Sequence, residues 1–284
     1  MIEGASEPTK PVDVRAEMLR AVHALSNSGE SGRSRAVTSD LSIDEALLLH
    51  SIGWEPVDLV YGVSLASVPI GVWNWGQGEI TAASYAHNLA FTTAAARLNE
   101  ECAKVGGHGV VGVRVEVKVL RHHVDISLIG TAVRPVGVTA TSSDVFLSDL
   151  SARDFSLLMT AGWRPVGLAF GASFVYAPRR SAGMALKQKT QNVELTNFTE
   201  ATYSARESAM ERMQRAAITL RGSGIVEVKV TEGPMSFARH AIGFAAWGTA
   251  VRLEASSHQY QQPQVVIPLD DAILQFEATS LRGP

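Results

Sequence analysis

The sequence predicts an α+β protein built from two tandem copies of one unit: a short capped helix, then strand, helix, strand and strand. Three observations carry this. A passage in which a helix hands over through glycines to a strand occurs twice, as Gly109-Val-Val-Gly-Val-Arg-Val115 and as Gly224-Ile-Val-Glu-Val-Lys-Val230. The last strand of each copy ends alike, Ile129-Gly-Thr-Ala-Val-Arg134 against Trp247-Gly-Thr-Ala-Val-Arg252. Each copy also opens alike, with Ser42 or Ser151 at a helix N-cap and Gly53-Trp54 or Gly162-Trp163 where that helix stops. Self-similarity on this scale marks a duplicated structural unit.

Residues 1–40 are rich in Ser, Gly, Glu, Pro and Arg and read as a mobile tail, with one helical pattern in Val14, Met18, Ala21, Val22 and Leu25. The first repeat spans 41–135. Ser42 with Glu45 three residues on forms a capping box, which satisfies orphan amides and is worth about 1 kcal/mol. Gly53 then ends the helix as a left-handed cap. Residues 57–68 are β-branched and aromatic and predict a strand. A long helix over about 84–105 places Phe91, Ala94, Ala95, Leu98, Cys102 and Val105 on one stripe at helical spacing. Its counterpart carries Ala209, Met210, Met213, Ala217 and Leu220, with Arg206 where Phe91 stands in the first. Val111, Val113, Val115, Val117 and Val119 alternate with polar residues, so one face of that strand is buried and the other wet. The next strand points Val124, Ile126 and Leu128 inward, matched by Ile242, Phe244 and Ala246. Residues 136–149 form a polar linker, 150–253 the second repeat, and 254–284 a C-terminal extension with a weak final helix. Between first strand and long helix the copies differ, so the two loops make different surfaces.

The composition, 46% hydrophobic and 19% charged over 284 residues, is that of a soluble globular chain with room for two cores. A net charge of −3 gives no global electrostatic case for nucleic acid or an anionic membrane surface. Short, interrupted apolar runs predict neither a membrane span nor a signal peptide. A single cysteine, Cys102, can form no intrachain disulfide, and the expected location is the reducing cytoplasm. Its place on the helical stripe makes it a core thiol rather than a nucleophile.

With the helix, the glycine handover and the alternating strand in place, each copy resembles the YbjQ-like family, labelled heavy-metal-binding. The family signature runs Gly-Ala-Asn-Ala-Val-Val-Gly-Val. Gly106-Gly-His-Gly-Val-Val-Gly-Val113 fits it with His108 in place of Asn, and Arg221-Gly-Ser-Gly-Ile-Val-Glu-Val228 departs further, with Arg221 at the first glycine. The resemblance covers about 55–134 and 164–252. It implies a two-layered β-α-β-β domain of dodecin/YbjQ-like type, and assembly into homo-oligomeric rings, often pentamers.

Chemistry-bearing groups are sparse. Among eight histidines and one cysteine there is no C-x-x-C and no H-x-x-x-H. His123 and Asp125, two apart on one strand face, are the best fragment of a metal site, and the second copy has Ala241 and Gly243 there. His122 and His240 occupy one place in both copies with the parity of inward residues, which points to a shared structural or interface histidine. Trp73 and Trp75, in a glycine-rich loop, could stack a flat ligand or meet a protein. Arg179 and Arg180 open a basic loop suited to phosphate or an acidic partner. No nucleophile elbow, P-loop or dinucleotide fingerprint is present. The expectation is therefore a non-enzymatic, ring-forming assembly or interaction protein with no cofactor, meeting any protein partner through the 70–80 and 178–190 loops. The alternative is a small-ligand or metal-ion-binding module using clefts between subunits.

Overall fold

The computed structural model describes residues 36–69, 78–120, 122–138, 144–177, 183, 194–235 and 238–255. Two similar α+β repeats follow one another. The first comprises α1 (Ile43–Ser51), β1 (Trp54–Ser67), β2 (Gly78–Glu79), α2 (Thr81–Lys104), β3 (Gly109–Leu120) and β4 (His123–Pro135). The connection contributes β5 (Phe146–Leu147). The second comprises α3 (Ala152–Thr160), β6 (Trp163–Tyr176), α4 (Thr196–Thr219), β7 (Gly224–Met235) and β8 (Ala238–Leu253).

The helix starts follow the sequence closely. Ser42 accepts from the Glu45 amide, and Glu45 reaches back to the Ser42 amide, completing the capping box. Ser151 accepts from the Asp154 amide in the same way. The first strand begins three residues before its expected start, at Trp54, because a bulge at Pro56/Asp58 absorbs the proline on an edge strand.

Among the described residues each sheet has four strands, and the fourth of each comes from outside its own repeat. The orders are β1-β4-β3-β5 and β2-β6-β8-β7. β5 comes from the connection and lies parallel to β3, so the second half of that polar segment is built into the first sheet. β2 leaves the first repeat and pairs with β6 of the second, Gly78 opposite Tyr176 and Glu79 opposite Val175.

Four layers result: first sheet, α2, second sheet, α4. On one side α2 sets Ala94, Leu98 and Cys102 against Ile126 and Leu128. Further towards its N-terminus the same stripe reaches the second sheet, where Phe91 stacks on Phe170 with centroids 4.1 Å apart and an interplanar angle of 7°. Phe91 shares the Leu98 stripe as the spacing predicts, but the stripe is met by two sheets, the first at Leu98 and the second at Phe91. The opposite face of the second sheet, through Ala169, Phe244 and Ala246, packs on Ala205, Ala209 and Met213 of α4. The outer side of α4 is solvent-facing, which is why Arg206 stands where α2 has Phe91.

The two outer glycines of the signature have one conformational cause. Gly106 ends α2 with φ +80°, and Gly112 forms a bulge in β3 with φ +65°. The bulge turns Val111 to the opposite face from Val113, so the valine alternation breaks there: Val111 packs with Leu49 and Phe146, Val113 with the α2 core. The second repeat holds the same backbone with side chains, Arg221 at φ +61° and Glu227 at φ +53°. Such a conformation costs roughly 1–2 kcal/mol per non-glycine residue. Arg221→Gly and Glu227→Gly are each expected to raise stability by about 1 kcal/mol in urea unfolding. The solvent-exposed Glu227–Lys229 pair lost in the second variant is worth little. An unchanged or lowered midpoint would contradict the strain.

Candidate functional site

The feature richest in specific polar chemistry is the junction between the repeats, where the β2–α2 segment of the first lies along the β6 edge of the second. An edge strand exposes a row of unpaired amide and carbonyl groups, and here they are met one by one. Ile80 donates its amide to the Phe174 carbonyl at 2.7 Å. Ser84 Oγ accepts from the Phe174 amide at 3.0 Å. Asn88 accepts from the Ala172 amide at 3.3 Å and donates to its carbonyl at 2.9 Å.

Beside them Arg212 of α4 grips the Glu79 carboxylate with two nitrogens, at 2.5 and 2.8 Å, and donates also to the Ala172 carbonyl at 2.9 Å. Ser173 Oγ donates to Glu79 at 2.9 Å. Burial pushes the Glu79 carboxyl up, but hydrogen bonds from Arg212, Ser84 and Ser173 outweigh it and hold it below its ordinary value. Such a bidentate pair fixes geometry as well as adding energy.

Within the junction His87 is 1% exposed. Its Nδ1 lies 2.8 Å from the Ala83 carbonyl, one turn back, so Nδ1 carries the proton. Nε2 is buried and meets no hydrogen-bond partner among the described residues. The ring leans on Phe174 at 4.1 Å. Burial pulls its pKa down to about 4, against which the Ala83 contact weighs little. Beside this ring a cleft of about 300 Å³ opens between β3 and the β7–β8 pair, lined by Val115, Val117, Phe174, Phe244 and Trp247.

A second polar arrangement is duplicated. Thr131 donates to Asp40 at 2.6 Å, and Arg114 pairs with the same carboxylate at 3.1 Å. In the other repeat Thr249 donates to Asp149 at 2.6 Å, with Lys229 at 3.2 Å. Burial lowers the Lys229 pKa, but Asp149 and Glu227 together outweigh it and raise it. Every member is satisfied by another, so these clusters pin the segment before each first helix to its sheet.

The sequence-derived candidates fare unevenly. Trp73, Trp75, Arg179 and Arg180 lie outside the described residues. His123 is exposed and Asp125 half-buried on β4, and among the described residues no three His, Cys, Asp or Glu side chains are placed to hold a metal. His122 is half-buried but His240 is exposed, so inward parity does not extend to the second copy. What the pair shares is main chain: their carbonyls accept from the Val68 and Ala177 amides at 2.6 and 2.7 Å. Cys102 is fully buried, donates to the Gly109 carbonyl at 3.4 Å, and has its thiol pushed up to about 12 by burial. It is a core residue. The Glu79–Arg212 pair and His87 escaped sequence reading, although Glu79 recurs as Glu194 and Arg212 as Arg97 at the repeat spacing. Among the described residues no helix is long and apolar enough to cross a membrane.

Duplicated β-α-β-β repeats with this glycine signature define the class. The chain belongs to the YbjQ family, described as putative heavy-metal-binding, whose pattern matches residues 70–135 and again 180–254. It is similar to the Encapsulin nanocompartment protein Rv1762c of Mycobacterium tuberculosis (strain ATCC 25618 / H37Rv), at 33% identity over 254 residues, covering 84% of this chain and 94% of that protein. No solved structure matches.

Proposed function

We propose that this protein is a non-enzymatic assembly protein whose chains associate into a closed homo-oligomeric ring. One observation carries the reading: equivalent faces of the two sheets are treated unequally. Phe170 and Phe174 of the second sheet are buried against Phe91 and His87 of α2, and Trp247 is buried facing the cleft beside β3. The matching positions of the first sheet include Tyr61 and Leu65, 48% and 61% exposed, on a β1 strand whose outer edge has no neighbouring strand among the described residues. An exposed apolar face beside an open edge is an unfinished surface, and association finishes both. The similarity to a nanocompartment protein supports an assembly role. Because every chain brings two repeats, a closed ring of whole chains contains an even number of them, so a pentamer-type ring would need five chains rather than five repeats.

Native mass spectrometry tests the reading. The expected result is one discrete oligomer without added mass; a monomer at micromolar concentration would contradict it. The cleft beside His87 favours a second reading, a small-ligand module, which would show as one extra mass per chain. A metal at His123 and Asp125 would need further ligands from another copy, and would appear in the same spectrum as a metal-sized increment.

A further inference from the structure

Resting on that assembly reading, the internal junction specifies the external one. Repeat spacing pairs Glu79 with Glu194, Ile80 with Leu195, Ser84 with Thr199, Phe91 with Arg206 and Arg212 with Arg97. The first-repeat Arg97 is already posed like Arg212. It donates to the Val63 carbonyl at 2.5 Å, as Arg212 donates to that of Ala172, the matching strand residue. Yet Arg97 has no carboxylate partner among the described residues, whereas Arg212 holds Glu79.

The complementary half sits at the other end of the chain. Glu194 is exposed and accepts from Thr199 Oγ1 at 2.9 Å, an arrangement that repeats the hydrogen bond between Ser84 and Glu79. Leu195 is 41% exposed where its counterpart Ile80 is fully buried. Arg206 is exposed on the outer face of α4, and Tyr61 is exposed where Phe170 receives Phe91.

We infer that chains join head to tail in the register of the internal junction, the 194–206 segment of one copy docking on the open β1 edge and outer sheet face of the next. Glu194 of one copy is gripped by Arg97 of the next, Leu195 is buried as Ile80 is, and Arg206 lies over Tyr61 as Phe91 lies over Phe170. The contact is heterologous, so it propagates until it closes. Its chemistry is complementary at each point: carboxylate to guanidinium, apolar side chain to apolar face, cation to aromatic ring.

A charge swap tests the junction on the full chain, by sedimentation velocity over a concentration series. Glu194→Arg and Arg97→Glu each place like charges together and should weaken association by on the order of 100-fold. The double variant Arg97→Glu with Glu194→Arg restores opposite charges at every junction and should recover most of it. Tyr61→Ala, which leaves both charges in place, should weaken association on the order of tenfold. Thermal midpoints of the variants separate lost association from lost folding. A wild-type oligomer that both single swaps leave intact would overturn this junction while leaving assembly standing. A wild-type monomer would overturn both.

Discussion

Gly171→Val is expected to lower the unfolding free energy by about 3 kcal/mol or more, and Gly62→Val by a comparable amount. These glycines occupy equivalent places on β6 and β1 and are where each long helix touches its sheet. A Cβ at Gly171 would stand 2.1 Å from the Ala209 carbonyl oxygen and 2.6 Å from the Met213 amide nitrogen. At Gly62 it would stand 2.3 Å from the Ala94 carbonyl oxygen. The obstacle is helix backbone, which cannot rotate aside as a side chain can, so the helix must lift. Lifting α4 unpacks Ala205, Ala209 and Met213 from the second sheet; lifting α2 disturbs both sheets at once. Gly233→Ala is the control, since an added Cβ there meets nothing within 4 Å. Urea unfolding measures the difference, and a midpoint for Gly171→Val matching that of the control would show that the helix does not rest there.

The second large effect is a loss of stability in acid centred on His87. Its pKa, about 4 in the folded chain, lies below the ordinary value of 6.5. The unfolded chain therefore takes up a proton at a pH where the folded chain does not. The contribution is fully present above about pH 6.5 and is lost as pH falls towards 4, amounting to about 3 kcal/mol. Glu79 acts in the same direction, because its depressed pKa favours the folded state only while it is ionised. His87→Gln separates the two: glutamine can donate to the Ala83 carbonyl but does not titrate. Wild type and variant should differ in the slope of unfolding free energy between pH 7 and 4, the wild type losing about 3 kcal/mol more. Parallel slopes would mean that His87 charges freely in the fold.

The repeat, the capped helices and the strand pattern were legible because each is local: a capping box spans four residues, and an alternating strand needs only its own side chains. The layer order was less so. The stripe that joins Phe91 to Leu98 is real, but a stripe does not say how many sheets meet it, and only the contrast with Arg206 reveals that α2 is covered by two sheets and α4 by one. The break in the β3 alternation is written in Gly112, yet the same bulge in β7 carries Glu227, so no residue type marks it in both copies. The Glu79–Arg212 pair and the Asp40–Thr131 contact join residues far apart in the chain, and neither partner alone signals its mate. Among the proposed site residues, His123 and Asp125 were rightly placed on one strand, but their strand supplies no third ligand. His240 lay at a strand start, where parity is a poor guide to burial.

Electron microscopy of the negatively stained protein tests the central claim most directly. Two stacked repeats that join head to tail through the Glu194 and Arg97 ends predict closed rings whose class averages contain an even number of repeat-sized lobes. Isolated two-lobed particles at every concentration, or rings with an odd number of lobes, would contradict it.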